Sequence, residues 1–137
     1  MSATNPENGT VSYTYDAAHR VVTRTDAKSQ QTQYTYNTLG RLSQVKHGTV
    51  SGGVFTEDTT QAVGYTYDAY GRLSNVGFGA RDLNFARSYT YGYTYSTTGR
   101  VLTQTMGWNM YSNDYGTPTT HSYSFAMSYQ WDTMKAR

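Results

Sequence analysis

Tyr65-Thr66-Tyr67-Asp68-Ala69-Tyr70-Gly71-Arg72-Leu73-Ser74-Asn75-Val76 decides the fold, because the chain repeats it with variations. Tyr13 to Arg24 reads Tyr-Thr-Tyr-Asp-Ala-Ala-His-Arg-Val-Val-Thr-Arg. Tyr34 to Val45 reads Tyr-Thr-Tyr-Asn-Thr-Leu-Gly-Arg-Leu-Ser-Gln-Val, and Tyr93 to Gln104 reads Tyr-Thr-Tyr-Ser-Thr-Thr-Gly-Arg-Val-Leu-Thr-Gln. Tyr-Thr-Tyr alternates aromatic and β-branched side chains, which suits a pleated strand. Asp then favours the first position of a type I turn, where its carboxylate bonds backbone N–H groups further on. Gly three residues later adopts positive φ without a Cβ clash. The unit therefore predicts a hairpin, closed by a type I turn and a left-handed residue with a bulge.

In the simplest register Asp68 opposes Arg72, Tyr67 opposes Leu73 and Tyr65 opposes Asn75. Tyr65, Tyr67 and Leu73 then share one face; Thr66, Asp68, Arg72 and Ser74 share the other. A cross-strand aromatic–aliphatic pair contributes roughly 0.2–1 kcal/mol, so one hairpin alone is marginal. Stability has to come from hairpins laid side by side. The variants keep the turn chemistry. Asn37 and Ser96 replace Asp and still make local bonds. Gly40 and Gly99 keep Gly, and His19 stands in its place in the first copy. His is among the few non-Gly residues enriched at positive φ. Arg20, Arg41, Arg72 and Arg100 follow in every copy. The repeat motif thus comprises Tyr13, Tyr15, Asp16, Arg20, Tyr34, Tyr36, Asn37, Gly40, Arg41, Leu42, Tyr65, Tyr67, Asp68, Gly71, Arg72, Leu73, Tyr93, Tyr95, Gly99 and Arg100.

With 137 residues the chain has the length of one domain. A net charge of +2, with basic residues spread along the repeats, gives no electrostatic basis for nucleic-acid binding. Fifteen tyrosines stand beside only four phenylalanines and no isoleucine. The tyrosines must therefore supply much of the buried surface, at some 150–250 Å² each. Cysteine is absent, which excludes disulfides and thiolate metal sites. No apolar run is long enough for a membrane helix, and Met1 to Thr10 lacks the apolar core of a signal peptide.

The expected architecture is all-β: sequential antiparallel hairpins forming a curved, open sheet. Residues 1–10 read as a flexible start and 11–137 as the repeat domain. Hairpins are expected near 11–25, 30–46, 61–78 and 88–106, with a partial repeat over 121–137. Asp26 to Ser29 reads as a turn. His47 to Thr60 reads as a loop with a short strand at Val54-Phe55. Gly79 to Arg87 carries a faint helical spacing in Ala80, Leu83 and Ala86, too short to stand as a helix. Gly107 to Thr120 reads as a loop. Tyr129-Gln130-Trp131-Asp132 opens a fifth copy that stops at its turn, the pattern of an excised piece in which Trp131 has lost its neighbour.

Tyr-x-Tyr-Asp-x-x-Gly-Arg-Leu, recurring across most of Val11 to Arg137, resembles the YD repeat of RHS-repeat proteins. These include the shells of bacterial polymorphic toxins, the C components of Tc toxins, and teneurins. The resemblance implies hairpins joined into a long sheet that spirals into a hollow shell, often around a toxin. It implies shell-building rather than catalytic roles for the motif residues. This chain is too short to close a large cavity alone. It also lacks the family's Asp-Pro self-cleavage segment, since Pro6 and Pro118 follow Asn5 and Thr117.

Chemistry elsewhere is sparse. His19, His47 and His121 share no ligand spacing. Glu57 and Asp58 are adjacent, so on a strand they point to opposite faces. No phosphate loop or nucleophile elbow occurs. The expectation is therefore a structural segment of an RHS-type shell that encloses or presents a cargo protein, with no enzymatic activity, cofactor or metal. Its partners would be neighbouring repeats of a longer parent chain, or further copies joined through sheet edges. The parent would be secreted or displayed at the cell surface. The competing expectation is a carbohydrate- or cell-surface-binding module, because ordered tyrosine faces can stack on sugar rings. A transmembrane barrel is disfavoured, since Tyr-Thr-Tyr-Asp lacks the required apolar bands.

Overall fold

The computed structural model describes residues 2–5, 9–82, 85–114 and 117–131. Ten strands make one antiparallel sheet in chain order: β1 (Ser2–Asn5), β2 (Gly9–Tyr15), β3 (Val21–Thr25), β4 (Gln30–Tyr36), β5 (Leu42–Ser51), β6 (Val54–Tyr67), β7 (Leu73–Asp82), β8 (Phe85–Tyr95), β9 (Val101–Asp114) and β10 (Thr117–Ser128). No pairing joins β10 to β1, so the sheet is open. The expected all-β sheet of sequential hairpins is what forms, with no helix among the described residues.

The register departs from the simplest one, and identically in every repeat. Tyr67 opposes Leu73, but Thr66 opposes Asn75 and Tyr65 opposes Val76 rather than Asn75, leaving Ser74 as a bulge. The same shift leaves Val22, Ser43 and Leu102 unopposed in the other repeats. A bulge inserts one residue and re-aims those beyond it. Leu73 and Val76, three apart in sequence, thereby reach the same face, as do Leu42 and Val45.

Several segments expected as loops or helix are strand instead. His47 to Thr60 forms the outer arms of β5 and β6, turned at Gly52 and Gly53 with φ of 57° and 81°. Two successive positive φ values match the twist of a two-residue hairpin loop, and Gly-Gly permits them. Gly79 to Asp82 and Phe85 to Arg87 extend β7 and β8, paired from Gly79↔Ser88 to Asp82↔Phe85. Leu83 of the expected helical spacing lies outside the described residues. Gly107 to Asp114 and Thr117 to Thr120 belong to β9 and β10, which pair at every position from Asp114↔Thr117 to Thr103↔Ser128. In each case backbone pairing with the neighbouring strand outweighs a weak local signal. Ser2–Asn5, within the stretch read as a flexible start, pair with Gly9–Ser12.

The sheet has two unlike faces. One carries a straight cross-strand row, Tyr34–Val45–Val63–Phe78–Tyr89–Trp108–Tyr123, each member opposite the next from β4 to β10. Phe78 stacks on Tyr89 at 5.4 Å and Trp108 on Tyr123 at 5.3 Å between ring centroids. The other face is polar, with hydroxyl pairs such as Thr14–Thr23 at 2.7 Å and Thr94–Thr103 at 2.6 Å. Among the described residues only Val45, at 9% exposure, is a buried hydrophobic. The tyrosines supply the packing, but as a single layer in which neighbouring rings cover each other's edges and faces.

Candidate functional site

The repeat corners lie together along one end of the sheet. At Asp68 the Gly71 N–H donates to the Asp68 carbonyl at 3.0 Å, and the Asp68 N–H donates to the Arg72 carbonyl at 2.8 Å. The carboxylate then fills the turn. Oδ1 accepts from the N–H groups of Tyr70 and Arg72, both at 2.9 Å, and Oδ2 accepts from Arg72 Nε at 2.7 Å. Asp16 reproduces all three side-chain bonds with Ala18 and Arg20. Asn37 makes only the two backbone ones, from Leu39 and Arg41 at 3.0 Å. Ser96 accepts from the Arg100 N–H at 3.0 Å. The closing residues His19, Gly40, Gly71 and Gly99 have φ of 60°, 77°, 85° and 86°, so the left-handed position expected from the sequence is occupied in every copy.

The bonds received by these carboxylates move their titration. At Asp16 the backbone N–H of Arg20, followed by its guanidinium, holds the carboxyl below the ordinary 3.8. At Asp68 partial burial pushes upward. The Arg72 N–H, the Arg72 guanidinium and the Tyr70 N–H together outweigh it, and the carboxyl again lies below 3.8.

The arginines do more than close their own corners. Each reaches over the second aromatic ring of the following repeat: Arg20 over Tyr36 at 4.4 Å, Arg41 over Tyr67 at 4.5 Å, Arg72 over Tyr95 at 4.6 Å and Arg100 over Trp131 at 5.6 Å. The tip of each ring then donates to the carbonyl just after that arginine. Tyr36 bonds Val21 at 2.8 Å, Tyr67 bonds Leu42 at 2.7 Å, Tyr95 bonds Leu73 at 2.7 Å, and Trp131 Nε1 bonds Val101 at 2.7 Å. A guanidinium over an aromatic face is attracted by the ring quadrupole. The donor at the far end of the ring thus reaches the carbonyl of the residue next to the bulge. Trp131 takes the place of the second tyrosine in a fifth repeat, seated on Arg100 and Val101. Arg72 also donates from Nη1 to the Ser96 carbonyl at 2.9 Å, tying two corners directly.

This ladder makes the motif residues one assembly. The second tyrosines, Tyr36, Tyr67 and Tyr95, are its rungs. The first ones, Tyr34, Tyr65 and Tyr93, sit opposite Val45, Val76 and Gln104, while Tyr13 faces Arg24. Sequence reasoning paired each Arg with its own Asp and missed the link to the next repeat. The available signal was that an Arg and a second aromatic recur in every copy, although the distance in sequence from each Arg to the ring it covers varies. It also missed that Asp26 to Gln30 is a corner of the same kind at the sheet's other end. There Ser29 has φ 61°, and Asp26 Oδ1 accepts from Lys28 and Gln30 N–H at 2.9 Å each.

The other candidates are placed apart from the ladder. His19 is a corner residue, His47 Nδ1 lies 3.2 Å from Thr32 Oγ1, and His121 is opposite Met110. Glu57 pairs with Lys46 at 2.7 Å. Asp58 accepts from the Thr60 N–H at 3.1 Å and Gln61 Nε2 at 2.7 Å, which folds an irregular stretch of β6 between Asp58 and Val63.

Residues 1–31 and 20–54 each match the family model described as RHS Repeat, and the same motif, corner and rung continue through the third and fourth copies. The two matches together cover residues 1–54 of the 137. No curated protein matches the chain. Among solved structures, the complex titled TcdB2-TccC3-Cdc42 matches with 15% identity and a TM-score of 0.39, over 90% of this chain and 8% of that one. The chain thus spans a small fraction of that protein's length.

Proposed function

We propose that this chain is a stretch of RHS-type protein wall: a non-catalytic structural segment whose sheet, continued by further repeats, encloses or presents a toxin or other cargo protein. The observation that carries the reading is the arginine–aromatic ladder. It links each hairpin to the next by the same two contacts four times over, so it can be extended without limit. A single layer with an aromatic and a polar face is the form a wall takes when each side meets a different environment. Its partners are neighbouring repeats of a longer parent chain, or other copies meeting at the sheet edges. We place the parent outside the cell, secreted or at its surface, which fractionation of producing cells tests.

Quasi-one-dimensional repeats tolerate removal of a whole unit. Deleting residues 37–67 joins Tyr36 to Asp68 and keeps every remaining rung in register. The shortened chain is expected to fold as an all-β protein with a lower thermal midpoint; collapse to an unfolded chain overturns the wall reading. The carbohydrate-binding alternative is favoured by one observation, the exposure of Tyr123 and Phe125 at 47% and 55% on the aromatic face. Glycan-array binding abolished by Tyr123→Ala and Phe125→Ala would favour it. Absence of binding, with those changes altering stability alone, favours the wall.

A further inference from the structure

The aromatic face turns polar beside its row of rings. Two residues along β4 from Tyr34, the facing row reads Arg24–Thr32–His47–Asp58, each opposite the next from β3 to β6. This row lines a cavity of about 440 Å³, with the Asp26 corner on one side and the irregular stretch of β6 on the other. Cavities of that volume take small molecules. No aliphatic or aromatic side chain lines this one among the described residues.

Two opposite charges in the cavity are left unpaired. Arg24 is half-buried, and among the described residues its guanidinium has no hydrogen bond, ion pair or ring contact. Asp26 is half-buried too, and its corner repeats the backbone bonds of the Asp16 and Asp68 corners. Its Oδ1 accepts from the N–H groups of Lys28 and Gln30 at 2.9 Å each. In the Asp16 and Asp68 corners Oδ2 then takes the Nε of an arginine four residues on. Here the fourth residue is Gln30, and among the described residues Asp26 Oδ2 has no partner. Asp58, by contrast, is held by the Thr60 N–H and by Gln61 Nε2. A charge taken partly out of water costs free energy until a counter-charge reaches it, and Arg24 and Asp26 form no ion pair with each other.

We propose that this cavity is a binding site for a small zwitterion, a polar α-amino acid being the simplest. The ligand's carboxylate lies on the Arg24 guanidinium, and its ammonium lies on Asp26 Oδ2. A guanidinium and a carboxylate make two parallel charge-assisted bonds, which orients the ligand. The ammonium takes the place that an arginine fills in the other two aspartate corners. A simple anion would face Asp26 and Asp58, and a simple cation would face Arg24; only a ligand carrying both charges suits both groups. The polar lining, with Thr32, His47 and Gln30 beside the two charges, favours a side chain that hydrogen-bonds. The site lies within one hairpin and its neighbours, so it stands whether or not the sheet continues into a wall.

The test is calorimetric titration of the full chain near pH 7 with L-glutamine, and separately with acetate and with methylammonium as the two half-ligands. Glutamine is expected to bind saturably, and each half-ligand at least about tenfold more weakly, the loss of one charge-assisted contact. Arg24→Gln and Asp26→Asn should each weaken glutamine by a similar factor. Both variants should stay folded by circular dichroism, because Arg24 has no partner among the described residues and Asn37 shows that an amide holds such a corner. Gln30→Arg supplies Asp26 with the arginine of the other corners. It should raise the thermal midpoint by about 1–3 °C and weaken glutamine at least about tenfold. No saturable binding of glutamine, acetate binding as tightly as glutamine, or an affinity unmoved by Arg24→Gln and Asp26→Asn overturns the site.

Discussion

Asn37→Asp should stabilise this protein, and the reason is a missing acceptor. In the Asp16 and Asp68 corners Oδ1 takes two backbone N–H groups and Oδ2 takes the arginine Nε at 2.7 Å. In the Asn37 corner Oδ1 takes the same two N–H groups, so the amide nitrogen stands where Oδ2 would be. It faces Arg41 with a donor, and Arg41 Nε is a buried nitrogen with no partner. Satisfying a buried donor recovers about 1–3 kcal/mol, whereas an ion pair that water still reaches contributes about 0.2–1 kcal/mol. Asn37 and Arg41 are half-buried, so we expect about 1 kcal/mol, a rise in thermal midpoint of about 3–4 °C. The assay is thermal unfolding followed by circular dichroism near pH 7, in a cycle with Arg41→Met. The gain should vanish in the Arg41→Met background. It should also vanish in acid, because a carboxylate stabilised by a folded-state partner loses that contribution as pH falls through its depressed pKa. A variant no more stable than the parent at neutral pH, or a gain indifferent to Arg41, would refute the account of the corner.

Three further outcomes follow from the same geometry. Gly71→Val should lower the midpoint more than Ala69→Val, since Gly71 has φ 85° and a Cβ there would lie 2.6 Å from Arg41 Nη1, while Ala69 is exposed; equal losses in thermal unfolding would count against a left-handed requirement. Tyr67→Phe and Tyr95→Phe each remove one bond to a carbonyl and should cost about 1 kcal/mol, whereas Tyr15→Phe should be neutral in urea titration. Asp16 and Asp68 are depressed below 3.8, so their stabilisation is whole above that value and is lost as pH falls through the folded-state pKa. Asp68→Asn should accordingly lower the midpoint at neutral pH, with the difference from the parent shrinking as pH falls below 3.8; a constant difference across the titration would contradict this.

The corners were legible because their chemistry is local. An acid at the first position, a glycine or histidine three later and an arginine after it determine a turn within five residues, whatever surrounds it. Alternation in Tyr-Thr-Tyr then fixed strand type, and repetition fixed the meander. What failed was whatever depended on a neighbour. His47 to Thr60 and Gly107 to Thr120 are rich in glycine and threonine and look like loops alone. They are strands because β6 and β9 offer them a row of backbone partners. The faint helical spacing around Ala80 lost to the same competition.

The bulge and the ladder mark the boundary most clearly. Sequence alone determined that each unit is a hairpin with an arginine at its corner. It left open what the arginine does once its own aspartate is satisfied. Only the packed sheet brings Arg41 over Tyr67 and turns the Tyr67 hydroxyl onto Leu42. That contact joins residues far apart in the chain, across a strand pair whose register is set by a bulge that no single residue announces. Local turns are written in a few adjacent side chains. The tie between repeats exists only where two finished hairpins meet.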